Sequence, residues 1–120
     1  MAGLSFGGPS RSSSDSDFMP LTRRIIAERI AAIAPELQQL GVSRVALFGS
    51  YLRDAATPRS DVDLLVDFKP GRKTFRSLVS LTERLEGVLD CRVEAVTVES
   101  LSPHIGPRIL AEAVDVLRAA

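Results

Sequence analysis

The sequence predicts an α/β (α+β) domain in which a short mixed β-sheet carries helices packed on one face. The chain has 120 residues, 45% of them hydrophobic and 25% charged, which suits one domain with one modest core. Apolar residues recur at steps of three and four in separate segments, as in amphipathic helices. Between these segments lie short runs rich in β-branched residues, as in buried strands. The predicted order is helix, strand, strand, helix, strand, helix.

The N-terminal residues differ from the rest in composition. Residues 1–19 are dominated by Gly, Ser and Asp, and no helical or strand period runs through them. They also lack the sustained apolar run of a secretory signal. We therefore predict a disordered tail over 1–19 and a folded domain over 20–120.

An amphipathic stripe opens the predicted domain. Its apolar members are Ile26, Ile30, Ile33, Leu37 and Leu40. Pro35 interrupts the stripe, which predicts a kink or a break into two helices, and Gly41 closes it. The β-branched and aromatic run Val42–Phe48 predicts a buried strand. Asp61–Phe68 predicts a second strand, which ends before the turn signal Pro70–Gly71.

A second stripe predicts a helix over Thr74–Leu89. Its apolar members are Phe75, Leu78, Leu81, Leu85 and Val88. Gly87 weakens the last turn of this helix, because glycine has a low helix propensity. Arg92–Val98 predicts a third strand. Pro107 is typical of a first helical position, and the apolar spacing after it predicts a last helix that runs through Leu117.

Charge and ligand counts exclude several classes of function. Fifteen basic side chains balance fifteen acidic ones, and no run of about 18 apolar residues occurs, so we expect neither direct nucleic-acid binding nor a membrane partner. Cys91 and His104 are the only residues of their types, which excludes an internal disulfide, a Cys-based zinc site and a di-histidine centre. Any metal is then a hard cation held by oxygen ligands. The expected compartment is the cytoplasm.

Two carboxylates open the second predicted strand. Asp61 and Asp63 are two residues apart, so they project from the same face of that strand. Two such carboxylates are tolerated where they face water or where a divalent cation lies between them, and Mg²⁺ prefers one or two carboxylates plus substrate phosphates. Taken alone, the pair is more typical of an exposed, solvated strand start.

A glycine and a serine follow the first predicted strand. Gly49 permits a tight turn with close backbone approach. If a helix begins at Ser50, its free N–H groups and the serine hydroxyl form a phosphate site. Arg53 lies about one turn further, within reach of the same anion. A common turn and a solvated surface charge are the simpler interpretations of these residues.

Together these residues form the pattern G-S-x10-D-x-D on a strand, a turn, a linker and a strand. Here the sequence resembles the nucleotidyltransferase superfamily typified by DNA polymerase beta, in its minimal nucleotidyltransferase (MNT) branch. The resembling residues are LFGSYLRDAATPRSDVDLLVDF and RVEAVTVESLSPHIGPRILAEAVDVL. The resemblance implies the polymerase beta-like fold and the transfer of a nucleoside monophosphate from a triphosphate to a hydroxyl, with two Mg²⁺ ions.

The resemblance also implies roles for seven residues. The implied nucleotide-binding set is Gly49, Ser50, Arg53 and Ser60. The implied catalytic and metal-binding set is Asp61, Asp63 and Glu94. Metals in such a site clamp the attacking and leaving oxygens. A simpler interpretation of Ser60 is that it caps the start of the second predicted strand.

Two positions depart from the family pattern. Minimal members commonly read Val-Asp-Leu-Val where this chain has Val93–Val96, so Glu94 replaces an aspartate. Glu94 can bind a metal or act as the general base. The alternative interpretation is that Glu94 is a solvated side chain on an edge strand. Asp54 stands where the family often has glycine. Its charge opposes triphosphate binding unless it points away or pairs with Arg53 or Arg59.

The resemblance implies an enzyme that transfers AMP from ATP to a hydroxyl of a partner protein, as antitoxin to a toxin of the HEPN family. The alternative, which Glu94 and Asp54 keep open, is a weak or inactive antitoxin that neutralises its partner by complex formation. Two other functions are less favoured for a chain of this length. A small-molecule nucleotidyltransferase needs further helices, or a dimer, to build an acceptor pocket, and a template-directed polymerase needs an additional domain that binds DNA.

Overall fold

The structure is a computed structural model that describes residues 21–57 and 59–118. Its elements are α1 (Arg23–Ala32), α2 (Ala34–Gln39), β1 (Val42–Phe48), β2 (Val62–Phe68), α3 (Phe75–Leu89), β3 (Val93–Thr97), a 3₁₀ turn (Val98–Ser100), α4 (Gly106–Glu112) and β4 (Val114–Arg118). This arrangement of helices on a mixed sheet confirms the predicted fold class. The tail predicted over 1–19 lies outside the described residues.

The N-terminal helical stripe forms two helices, as Pro35 predicted. The Thr22 side chain accepts a hydrogen bond from the Ile25 N–H and so caps α1. Pro35 lies in the first turn of α2, where its missing N–H costs no intrahelical hydrogen bond. Both helices turn apolar side chains inward. The fully buried ones are Ile26, Ile30 and Leu37.

The sheet has the strand order β3-β2-β1-β4. Strand β1 pairs antiparallel with both β2 and β4, whereas β2 pairs parallel with β3. The C-terminal end of β1 therefore lies beside the N-terminal ends of β2 and β4, and the N-terminal end of β3 lies beside that of β2. Loops and strand ends from four parts of the chain meet at this one end of the sheet.

The two faces of the sheet carry different apolar clusters. Helices α1, α2 and α3 cover one face, and the larger core lies between them and the strands. Strand residues in that core include Val45, Leu47, Val62, Leu64 and Val66. The opposite face carries a smaller cluster to which α4 contributes. Its buried members are Ala46, Phe48, Leu65 and Ile109. The prediction that all helices pack on one face is wrong for α4.

The last predicted helix is wrong in its C-terminal part. Helix α4 ends at Glu112, Ala113 takes extended backbone angles, and Val114–Arg118 forms strand β4. A short apolar run fits both a helix and a strand, so spacing alone could not decide between them. Pairing with β4 satisfies backbone groups of β1 that would otherwise lack partners. Arg44 reinforces this pairing, since it forms ion pairs with Asp115 at 3.2 Å and with Asp67 at 2.9 Å.

Across residues 21–57 and 59–118, none of the helices combines the length and the apolar character needed to cross a bilayer. The cytoplasmic location stays a prediction.

Gly87 lies in the last turns of α3, where an added methyl group would meet no atom within 4 Å. We expect Gly87→Ala to raise the free energy of unfolding by about 0.5–1 kcal/mol, because alanine loses less backbone entropy in a helix. Urea denaturation measures this change. Gly71→Ala is the matched control: that site is also open, but its φ is +78°. Gly71→Ala should lower the free energy of unfolding by about 1 kcal/mol. A lower free energy of unfolding for Gly87→Ala as well would contradict the prediction.

Candidate active site

The predicted nucleotide-binding turn follows β1. Gly49 has a φ of +81°, which glycine adopts without steric cost. A Cβ atom at Gly49 would overlap the Asp63 carboxylate, whose Cγ would lie 3.0 Å from it. The Arg53 N–H donates to the Gly49 carbonyl at 3.2 Å, and the Ala55 N–H donates to the Ser50 carbonyl at 2.8 Å. The chain after Gly49 is thus a hydrogen-bonded turn, and the helix considered for Ser50 does not form.

Asp63 lies at the centre of the candidate site. It pairs in register with Phe48 on β1 and with Glu94 on β3, so the side chains of Asp63 and Glu94 stand next to each other on one face. Burial, together with the negative charges of Glu94 and Asp61, raises the pKa of Asp63 from its usual 3.8 to about 6. The positive charge of Arg53 acts in the opposite direction.

Asp61 and Glu94 flank Asp63; Asp61 is partly buried, as Asp63 is, whereas Glu94 is exposed. Asp61 immediately precedes β2, and its Oδ1 lies 3.8 Å from Nε of Arg92. Glu94 is exposed on an edge strand of the sheet, so the cost of burying a lone charge does not apply to it. The strand register nevertheless brings Glu94 beside Asp63.

In the part of the chain that the structure describes, no group of three or more His, Cys, Asp or Glu side chains is arranged as a metal centre. The donor chemistry of Asp61, Asp63 and Glu94 does fit a hard cation, because all the donor atoms are carboxylate oxygens. The raised pKa of Asp63 is the effect expected of a desolvated carboxylate among like charges. These three residues stay the predicted Mg²⁺ ligands.

Glu112 is a site residue that the sequence analysis missed. Its Oε2 accepts a hydrogen bond from the Gly49 N–H at 3.0 Å, and the Arg53 guanidinium donates to both of its carboxylate oxygens at 3.0 Å. The Gly49 N–H, followed by the Arg53 charge, holds the pKa of Glu112 below its usual value. Gly49 precedes Glu112 by 63 residues, so no local pattern in the sequence indicates the contact.

Ser60 and Asp54 occupy the linker between β1 and β2. The Ser60 hydroxyl accepts a hydrogen bond from the Thr57 N–H at 2.9 Å, as a local cap would, and its nucleotide contact stays a prediction. Asp54 is exposed and has a φ of +56°, a conformation that favours glycine. This conformation gives a physical reason for glycine at that position in the family. Arg53 pairs with Glu112 rather than with Asp54.

Comparison with known proteins agrees with this geometry. Residues 28–116 match the family model described as "Nucleotidyltransferase domain". The chain belongs to this family. The predicted enzyme class, a nucleotidyltransferase, is therefore confirmed, and the resemblance to the minimal branch is confirmed by the relatives and structures below.

Two relatives of this nucleotidyltransferase match along most of their length. "Putative protein adenylyltransferase MJ0435" of Methanocaldococcus jannaschii is 46% identical over 85 residues, which cover 71% of this chain and 90% of the relative. "Protein adenylyltransferase MntA" of Thermococcus cleftensis is 38% identical over 97 residues, which cover 80% of this chain and 97% of the relative.

Solved structures of similar fold include one described as "putative minimal nucleotidyltransferase". It has a TM-score of 0.70 and 33% identity, and the match covers 81% of this chain and 98% of the other. A tri-AMPylated Shewanella oneidensis HEPN toxin in complex with its MNT antitoxin matches at a TM-score of 0.56 with 19% identity, over 78% of this chain and 73% of the other. This second likeness shows the fold alone.

The pKa of Asp63 makes stability depend on pH in a predictable direction. The folded protein binds the Asp63 proton more tightly than the unfolded chain does, so ionisation of Asp63 favours unfolding. This destabilisation is absent below the usual pKa of 3.8, grows as the pH rises, and is complete above about pH 6. We expect Asp63→Asn to raise the melting temperature at pH 7.5 in metal-free buffer, by about 4 °C.

The gain from Asp63→Asn should shrink as the pH falls towards 4, which thermal denaturation across that range measures. Asp115→Asn is the control on another strand, since that carboxylate pairs with Arg44 and with Arg118. The control variant should melt no higher than the wild type. A lower melting temperature for Asp63→Asn at pH 7.5 would contradict the prediction.

Proposed function

We propose that this nucleotidyltransferase transfers AMP from ATP to a hydroxyl group of a partner protein, with Mg²⁺, and that it acts as antitoxin to a toxin of the HEPN family. The observation that carries the proposal is the meeting of two kinds of group at one end of the sheet. The Gly49 N–H and the Arg53 guanidinium are phosphate donors, and they lie beside the carboxylate cluster centred on Asp63.

The names of known proteins support the nucleotide, the acceptor and the partner. Two relatives that align with most of this chain are named as protein adenylyltransferases, one of them as MntA. Structural neighbours include a toxin–antitoxin with AMP-PNP, at a TM-score of 0.59, and the AMPylated HEPN toxin with its MNT antitoxin. The family transfers nucleotides, and these names support adenylate as the group and a HEPN protein as the acceptor.

In the proposed reaction the acceptor hydroxyl oxygen forms a bond to the α-phosphorus of ATP. The bond from that phosphorus to the bridging oxygen breaks, and pyrophosphate leaves. The turn at Gly49, with its N–H, Ser50 and Arg53, binds oxygens of the β- and γ-phosphates and orients the triphosphate. Ser60 is the fourth member of the proposed nucleotide-binding set.

Asp61, Asp63 and Glu94 would hold two Mg²⁺ ions. When bound, these ions neutralise the charge that develops on the attacking and leaving oxygens. Glu94 is exposed beside Asp63, so it is also accessible to take the proton of the acceptor hydroxyl.

The second candidate function is a binding module that neutralises its partner without chemistry. One observation favours it: the two phosphate donors are already paired with Glu112. This module would form a stable complex with the toxin and would neutralise it without Asp61, Asp63 or added nucleotide.

The experiment that tests the proposed function is a transfer assay. The purified protein is incubated with Mg²⁺, ATP labelled at the α-phosphate and a lysate of the source organism, and the labelled protein is then identified by mass spectrometry. We expect one labelled band, competed by unlabelled ATP more strongly than by GTP, CTP or UTP, and a HEPN protein as its source. ATP binding without any labelled protein would contradict the proposal.

A further inference from the structure

We propose that Glu112 takes the place of a nucleotide phosphate in the ligand-free site, and that its carboxylate must leave the Gly49 N–H and Arg53 before the triphosphate can bind there. The inference rests on the proposed function only in taking the triphosphate as the ligand. It makes Glu112 a positioning residue, which holds two donors in place and sets the affinity of the site.

The contacts of Glu112 are those that a phosphate group would make. The carboxylate accepts from a backbone N–H at 3.0 Å and from a guanidinium through both of its oxygens at 3.0 Å. Phosphate oxygens are anionic acceptors that use the same two kinds of donor. The single Gly49 N–H cannot donate fully to two anions at once, so a phosphate at this turn competes directly with Glu112.

The fold keeps Glu112 at this position. It is the last residue of α4, and two residues later Val114 pairs with Leu47 of β1. Leu47 in turn precedes Gly49 by two residues, so strand pairing brings the backbone of Glu112 to the end of β1. The side chain is 26% exposed, whereas that of Arg53 is 57% exposed. Arg53 therefore has room to turn from the Glu112 carboxylate to an arriving phosphate.

The charges around the site explain why such an anion is useful. Glu112 engages the Arg53 guanidinium and, through the Gly49 N–H, stabilises the positive-φ turn. The donors are thus ordered before the nucleotide arrives, and the cost is a weaker affinity for the triphosphate.

The test compares the wild type with Glu112→Gln and Glu112→Ala. Gln keeps an oxygen that can accept from the Gly49 N–H but loses the charge, and Ala removes the competitor altogether. We expect the KM for ATP to fall about tenfold in the transfer assay for Glu112→Gln, and at least as far for Glu112→Ala. The change should fall on KM rather than on kcat. Calorimetric titration with inorganic triphosphate should show the same tightening.

Glu99→Gln is the matched control. Glu99 also pairs with a basic side chain, Lys73 at 3.4 Å, but it follows the C-terminal end of β3, at the opposite end of the sheet. This control should bind triphosphate as the wild type does. It separates the loss of one negative charge from the loss of this particular contact.

Three results would overturn the inference, and they differ from one another. Equal affinities in the wild type and both Glu112 variants would show that no displacement occurs, while leaving the transfer reaction intact. Weaker binding in the variants, with a higher Mg²⁺ requirement, would assign Glu112 to the cation instead. Binding of neither ATP nor triphosphate by any of the proteins would overturn the proposed function together with the inference.

Discussion

Asp61→Asn/Asp63→Asn should lower the rate of nucleotide transfer by about a thousandfold or more. Asparagine keeps the shape of each side chain but removes its negative charge. That charge holds the cation, and the cation in turn balances the negative charge of the triphosphate. Asp63 lies between Phe48 and Glu94 in the strand register, so its loss affects the middle of the site. The fold should persist, because removing the charge of a carboxylate whose pKa is raised by burial favours the folded state. Transfer of labelled AMP measures the rate, and circular dichroism checks the fold.

Asp67→Asn is the matched control for this double variant. Asp67 lies on the same strand and the same face as Asp63, four residues further along, and pairs with Arg44 at 2.9 Å. Its replacement should cost some stability and leave the transfer rate within about twofold of the wild type. Transfer that survived in the double aspartate variant would contradict the proposed metal ligands. Toxin neutralisation that survived without transfer would favour the binding module.

The second large effect is expected at Gly49. Gly49→Ala should lower the free energy of unfolding by about 2 kcal/mol or more and reduce transfer by about a hundredfold. Two causes act together at this position. The φ of +81° is costly for alanine, and the new methyl group would overlap the Asp63 carboxylate. The carboxylate must move, and a shift of about 1 Å in a catalytic group is enough for the expected loss of rate.

Gly71→Ala separates these two causes. Gly71 has a similar φ of +78°, but no atom lies within 4 Å of an added Cβ. This variant should lose only about 1 kcal/mol of stability and keep the wild-type transfer rate. Urea denaturation and the transfer assay provide both measurements. Equal losses of activity at the two glycines would contradict the role assigned to the contact between Gly49 and Asp63.

Local information was sufficient for much of the fold. Pro35 predicted the break between two helices, and the run Val42–Phe48 predicted β1 with its observed bounds. Thr74 was the predicted start of α3 and is its N-cap residue. These features depend on backbone restrictions, on the period of the apolar side chains and on capping within a few residues. All three can be predicted from the sequence. The spacing of Gly49, Asp61 and Asp63 likewise carries the family resemblance without any tertiary contact.

The sequence by itself therefore determined the fold class, the family and the candidate carboxylates of this protein. Only the tertiary structure decided that the segment after Ala113 is a strand and that Glu112 reaches the Gly49 turn. The physical reason is the same for both, because each depends on contacts between residues that are far apart in the chain. Strand β4 forms because β1 offers it backbone partners, and the two strands are far apart in the chain. A segment whose apolar spacing fits either a helix or a strand takes the form that its distant partner stabilises.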